Sequence, residues 1–305
     1  MKSNIERFFR GYTVEDNFHI LFAVLPWTKL VHTLGQNQLP SPSKISYQVP
    51  DFTLFFETSK KEIKPLLIET KSVKGDSQSL EIMEKQLDAC VHYSGILDIP
   101  FVYAIYWEKY QTWTINGIEN FEKKTKKYKI QIFDAIKNDL SVIVGDITFF
   151  FKEPLYRKTV CDSSITNSKM PKHEKYGTIV QDNISIDNKN YVEINPLETA
   201  IIDTTMKMKI LEKKVEGTIT TFIEFTETNF FVKLSTLVLR HLTIFQAELN
   251  ETYADSSRRI IIEFLKKIKA VDSYSIPNTK TKMSDLLYKQ AFEDTWVMKK
   301  YSSNE

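Results

Sequence analysis

The chain has 305 residues, of which 42% are hydrophobic and 26% charged, enough apolar material for the core of one large or two medium domains. A formal net charge of +2 excludes a polycation and leaves nucleic-acid contact to local patches. With 8 glycines and no glycine-rich phosphate loop, and with Cys90 and Cys161 too far apart for a thiolate metal site, nucleotide-cradling loops and structural zinc are excluded.

The start "MKSNIERFFRGYTVEDN" is charged and has no apolar leader, and no run approaches the ~18 uncharged apolar residues of a membrane span. Together with reduced thiols this predicts a cytoplasmic protein with no membrane partner. Helical spacing of Val14, Phe18, Leu21, Phe22 and Leu25 predicts a helix over 12–34, with Thr13 as its N-cap and Pro26 ending or kinking it. After the loop "NQLPSPSKISYQ", the stretch 51–72 reads as a strand, a lysine-rich tip and a second strand. A second helix is expected over 79–97, from Met83, Leu87, Cys90 or Val91, and Leu97. Strands follow at 100–107 and 112–115, a short helix near 129–138 and an apolar run at 140–151.

This order predicts an α/β fold with a mixed sheet flanked by helices, closing near residue 155. Residues 156–190 read as a polar linker or excursion. Residues 191–305 read as a mainly helical region for recognition, dimerisation or partner docking. Its first helix is expected over 195–215, with Asn195 as N-cap and Pro196 in the first position; further helices are expected at 232–253 and 255–271.

The chemistry is concentrated in "VPDFTLFFETSKKEIKPLLIETKS". In an antiparallel hairpin centred near Lys60, Asp51 faces Glu69, and strand alternation sends Glu69 and Lys71 to one side and Thr70 to the other. Two neighbouring carboxylates repel unless a positive charge lies between them. An all-oxygen set of two acids and a backbone carbonyl such as that of Thr70 suits Mg²⁺, with Mn²⁺ able to substitute. Beside such an ion, a lysine can orient or deprotonate water and stabilise charge on a phosphate.

Pro50-Asp51 followed by "PLLIETK", with Glu69 eighteen positions after Asp51, resembles the PD-(D/E)xK nuclease superfamily, which includes many restriction endonucleases, archaeal Holliday junction resolvases and RecB-type exonucleases. The resemblance covers roughly residues 5–115 and implies a restriction-endonuclease-like core. It implies that Asp51 and Glu69 are metal ligands and that Lys71 is the catalytic lysine. It also implies that Glu15, or its neighbour Asp16, completes the metal site from the preceding helix, and that Gln86 acts from the helix after it, with Tyr93 on the same face.

The expected function is metal-dependent DNA endonuclease, with RNA not excluded, in a restriction or phage-defence setting and as a homodimer or with a partner protein. Rival readings are a catalytically silent nucleic-acid-binding or assembly protein with the same fold, and a transposase-like cleavage subunit. Lys74 and the run "KKTKKYK", with Lys123, Lys124, Lys126 and Lys127, are candidate phosphate contacts, as are Arg258 and Arg259, although such runs are more often solvated faces.

Overall fold

The structure, a computed structural model, describes residues 14–35, 37–151, 154–166, 170–206, 208–226, 230–241, 253–267 and 271–273. The expected N-cap Thr13, residues 242–252 and residues 274–305 lie outside them. The chain divides into two compact units: described residues up to Ile147 form the first, and Thr148–Ser273 the second.

The first unit runs α1 (Val14–Ala23), β1 (Thr28–Thr33), β2 (Phe52–Glu57), β3 (Ile63–Val73), β4 (Ser79–Met83), α2 (Glu84–Leu97), β5 (Phe101–Trp107), β6 (Thr112–Gly117), β7 (Glu122–Lys123), β8 (Lys127–Gln131) and α3 (Ile132–Lys137). Its central sheet has the order β1-β2-β3-β5-β6. β3 pairs with β5 in parallel and every other neighbour is antiparallel, so the sheet is mixed and flanked by helices. The parallel pair sits in the middle because, Glu69 and Thr70 apart, its residues are largely apolar on both faces: Leu66–Thr70 and Phe101–Ile105 are continuously buried.

The β2–β3 register pairs Phe52 with Ile68 and Leu54 with Leu66, as the hairpin reading expects. Phe18 of α1 packs its ring 5.1 Å from Phe52 and 5.6 Å from Trp113, closing one face of the sheet. On the other face Leu67, Tyr103, Ile105 and Trp107 pack with Leu87 and Cys90 of α2. Each large side chain buried in these layers contributes about 1.5–3 kcal/mol.

Two expectations are corrected in this unit. The helix expected over 12–34 stops at Ala23, ahead of Pro26, and "TKLVHT" becomes β1 because it completes the sheet beside β2. The first turn expected of the 79–97 helix is instead β4: Leu80 and Ile82 are buried while Glu81 and Met83 are exposed, a period of two, and the strand pairs with β8. The lysine run 123–129 lies on β7 and β8, which build a three-stranded sheet with β4, and Lys123, Lys124, Lys126 and Lys127 are exposed there.

The second unit contains β9 (Thr148–Phe151), β10 (Tyr156–Asp162), β11 (Lys172–His173), β12 (Gly177–Ser185), β13 (Val192–Glu193), α4 (Pro196–Thr205), β14 (Met208–Glu216), β15 (Ile219–Thr226), β16 (Phe230–Lys233), α5 (Leu234–His241), α6 (Tyr253–Lys267) and β17 (Val271–Ser273). One sheet has the order β11-β12-β10-β15-β14, with β13 also paired to β12; a smaller one has the order β16-β9-β17. The stretch read as a linker, 156–190, therefore supplies central strands, and the division between units falls at Ile147 rather than near residue 155.

The helix expected over 195–215 begins as anticipated. Asn195 accepts the Leu197 and Glu198 amides at 2.9 Å, and the Glu198 carboxylate accepts the Asn195 amide at 2.9 Å. It ends at Thr205, and "MKILEKKVE" turns into β14, whose hairpin with β15 closes through Gly217 at φ +60°.

His241 is fully buried within this unit, its Nδ1 donating to the Leu237 carbonyl at 2.6 Å and its Nε2 lying 2.6 Å from the Thr204 hydroxyl. Burial, outweighing those hydrogen bonds, holds its pKa below the ordinary histidine value. The unfolded chain therefore binds the proton more readily, and stability rises with pH through the range just below the ordinary value of about 6.5. Chemical denaturation between pH 7 and pH 5 should show stability falling, by up to about 1.4 kcal/mol per pH unit from this one group, and His241→Gln should flatten that dependence.

Candidate functional site

The hairpin brings the acids and the lysine of "PD…ETK" to the end of β2. The Leu67 amide bonds the Pro100 carbonyl on the β5 side, so strand alternation turns the Thr70 amide and carbonyl toward the β2 side. β2 begins at Phe52, so no strand residue of β2 stands opposite Thr70. The Asp51 side chain takes that place: its Oδ2 accepts both the Thr70 amide and the Thr70 hydroxyl at 2.8 Å. The Asp51 carbonyl accepts the Leu34 amide at 2.8 Å, which ties the same residue to the end of β1.

Glu69 is only 2% exposed. Its Oε1 accepts from Lys71 Nζ at 2.7 Å and from Gln48 Nε2 at 3.2 Å, while its Oε2 is buried with no hydrogen-bond partner. Burial raises the Glu69 pKa; Lys71 opposes the rise, and Asp51 and Glu15 add to it. Glu15, exposed in the first turn of α1, is also raised, by partial burial first and then by Asp51 and Asp16, with Lys71 opposing. The structure thus gathers Asp51, Glu69, Lys71 and Glu15 within electrostatic reach of one another. Asp51 is hydrogen-bonded to Thr70 rather than to Glu69.

Gln86, half-buried in α2, makes no hydrogen bond with Asp51, Glu69 or Lys71. The carboxamide on Glu69 is that of Gln48, which the sequence reading passed over inside a loop. It is held there because its own amide donates to the Ala89 carbonyl of α2 at 3.0 Å, while His92 Nδ1 lies 3.1 Å from the Ser46 carbonyl. No periodicity marks such a residue; its one signal is nearness to Pro50-Asp51 in the chain.

Tyr103 stands beside Glu69 across the β3–β5 pair, its hydroxyl buried without a partner and its pKa pushed up by burial. Burial also pushes the Cys90 thiol up to about 12, with Glu69 adding to the rise, which removes it as a nucleophile.

Three of the lysines read as phosphate contacts are paired with acids: Lys123 with Glu84 at 2.9 Å, Lys127 with Glu81 at 2.9 Å, and Lys124 with Glu122. Lys74 lies 3.5 Å from Glu108, and the carbonyl of Lys126 accepts the Glu84 amide.

Among the described residues, no group of three or more histidine, cysteine, aspartate or glutamate side chains is arranged to hold a metal ion. Two carboxylates with the Thr70 carbonyl make a smaller, all-oxygen set. The orphaned Glu69 Oε2 and the burial-raised pKa of its carboxyl mark a buried carboxylate whose charge Lys71 does not fully offset. That donor chemistry fits a hard divalent cation. Among the described residues no helix is long and apolar enough to cross a membrane.

No family model matches the chain, and no curated protein sequence matches it. Among solved structures it is similar to that of Hjc, a Holliday junction resolvase from the archaeal hyperthermophile Archaeoglobus fulgidus, at 16% identity and a TM-score of 0.27, covering 35% of this chain and 80% of that one.

Proposed function

We propose that the first unit is a divalent-metal-dependent nuclease that hydrolyses phosphodiester bonds in DNA. The observation that carries this reading is the buried Glu69 carboxylate, with one oxygen on Lys71 and Gln48 and the other unpartnered, beside Asp51 at the end of the hairpin. Asp51, Glu69 and the Thr70 carbonyl would hold Mg²⁺, or Mn²⁺ in its place, with Glu15 able to contribute from α1. The ion would polarise a phosphodiester oxygen and acidify a water.

The chain's own groups do the rest. Gln48 and Lys71 occupy Glu69 Oε1, which leaves Oε2 as the oxygen for the ligand. Lys71 Nζ orients the attacking water and offsets the negative charge that gathers on the phosphate. Asp51, locked by two hydrogen bonds to Thr70, needs no reorganisation when substrate arrives. Cleavage of both strands of a duplex calls for two such sites and hence a homodimer, which light scattering would report.

Plasmid DNA incubated with the protein and Mg²⁺ or Mn²⁺ tests the proposal. Nicking or linearisation is expected, and Lys71→Ala should slow it by about 10²–10⁴-fold while leaving the circular-dichroism spectrum unchanged. DNA binding without nicking would favour a silent scaffold, and a Lys71→Ala variant cutting at the wild-type rate would remove Lys71 from the chemistry.

A further inference from the structure

The second unit carries a cleft of about 480 Å³, within the range of small-molecule pockets and lined entirely by its own residues. Its floor is one face of the sheet. Arg157 and Thr159 of β10 lie beside Glu224 and Phe222 of β15 in register, and Met206 and Asp203 close the cleft from the end of α4.

The Arg157 guanidinium is already occupied. Its Nε and Nη2 donate to the Asp182 carboxylate at 2.8 and 2.7 Å, and its Nη1 donates to Asp203. Glu224 is different: it is half-buried and lines the cleft, and it makes no hydrogen bond or ion pair with the described residues. Burial holds its carboxyl above the ordinary range despite Arg157 nearby, so the cleft offers an acceptor that the fold itself does not satisfy.

Three aromatic rings pack together on that floor. His173 stacks on Phe222 at 5.6 Å and 18°, and Tyr176 lies 4.7 Å from each of them. At the rim, exposed Lys213 sits 4.4 Å from the Tyr176 ring centroid and donates to its hydroxyl at 2.8 Å. Lys175 lies 5.6 Å from the same ring and Lys172 lines the opening, with Glu174 and Asp203 as exposed acids of the same lining.

The cleft and its rim thus bring together a carboxylate acceptor, aromatic rings and ammonium groups. A nucleotide carries a partner for each: a base amine, a base plane and a phosphate. Aromatic stacking serves any base, a carboxylate selects those with exocyclic amines, and lysines meet the phosphate. We propose that this cleft binds a nucleotide whose base carries an exocyclic amine, either as a free mononucleotide or as an unstacked base of a nucleic-acid strand. The proposal stands apart from the reading of Asp51 and Glu69, because none of its residues belongs to the first unit.

Isothermal titration of the full chain, in metal-free buffer so that nothing is cleaved, tests it. The probes are adenosine, cytidine, guanosine and uridine monophosphates, then short dA and dT oligonucleotides. The expected result is tighter binding of the amine-bearing nucleotides than of uridine monophosphate by about tenfold, the discrimination one well-placed base contact supplies. Glu224→Gln should erase that preference, and Tyr176→Ala should weaken every nucleotide.

Binding of the dA oligonucleotide alone would identify the base of a strand as the ligand, and equal binding of the monophosphate would identify the free nucleotide. Equal affinity of wild-type protein for uridine and adenosine monophosphates, heat from none of the probes, or displacement of the nucleotide by tetramethylammonium would overturn the proposal, whatever the variants do.

Discussion

Replacing Glu69 with glutamine is expected to abolish cleavage and, in metal-free buffer at neutral pH, to make the protein more stable. The two effects share one cause. Glu69 is buried and its pKa is raised above the ordinary carboxylate value by that burial. The folded chain therefore holds this proton more tightly than the unfolded chain does. Stability is fullest below the ordinary glutamate value and is lost as pH rises through the window up to the folded value. At neutral pH the ionised side chain is a net cost that Lys71, itself partly exposed, does not repay.

Glutamine keeps the shape and removes the charge, so the urea midpoint at pH 7.5 should rise and its pH dependence above pH 5 should flatten. The same substitution removes one of two proposed carboxylate ligands, a loss of several kcal/mol of charge stabilisation, or about 10³-fold or more in rate. Millimolar Mn²⁺ should raise the melting temperature of wild-type protein and leave Glu69→Gln unmoved. An unchanged melting temperature in wild type would show that the carboxylates do not bind the ion, and a less stable Glu69→Gln protein would show that the buried charge is well compensated.

The α/β class and the hairpin that positions the candidate site were legible in the sequence, for physical reasons. A hairpin obeys a simple register, so Pro50-Asp51 and "LLIETK" sufficed to bring Asp51 and Glu69 to one end of it. The alternation that puts Glu69 and Lys71 on the same side follows from the pleat. Gln48 was not legible, because it reaches Glu69 from a loop pinned to α2 by backbone bonds that leave no pattern. The contact of Asp51 with Thr70 was equally hidden, since it depends on where β2 stops.

The second unit misled for another reason. In "YRKTVCD" the buried positions are Arg157, Thr159 and Cys161, so the inward face of β10 is largely polar and its period of two is invisible to a hydrophobicity reading. β14 is a solvent-facing strand whose lysines and glutamates suit a helix; only pairing with β15 makes it a strand.

That polar inner face implies the largest stability effect in the molecule. Arg157 is 5% exposed and its three donor nitrogens are committed to Asp182 and Asp203. Asp182 is 6% exposed and also accepts the Thr199 hydroxyl at 2.7 Å and that of Thr159 at 3.3 Å, so it is built to be an anion with a full set of donors. Arg157→Leu removes the positive charge and leaves that anion beneath α4 with two hydroxyls.

Breaking one side of a buried pair costs about 3–5 kcal/mol, because the remaining charge is desolvated without compensation. Urea denaturation of Arg157→Leu should show a loss of that size. Asp203→Asn should cost less than about 1 kcal/mol, because the Asp203 side chain is 54% exposed and the asparagine carbonyl can still accept from the Arg157 guanidinium. The double variant Arg157→Leu with Asp182→Leu should recover most of the loss, because apolar groups of similar volume leave no charge to solvate. A single Arg157→Leu substitution costing no more than Asp203→Asn would mean that water reaches Asp182 freely, and that β10 is held by its backbone ladder rather than by the ion pair at its centre.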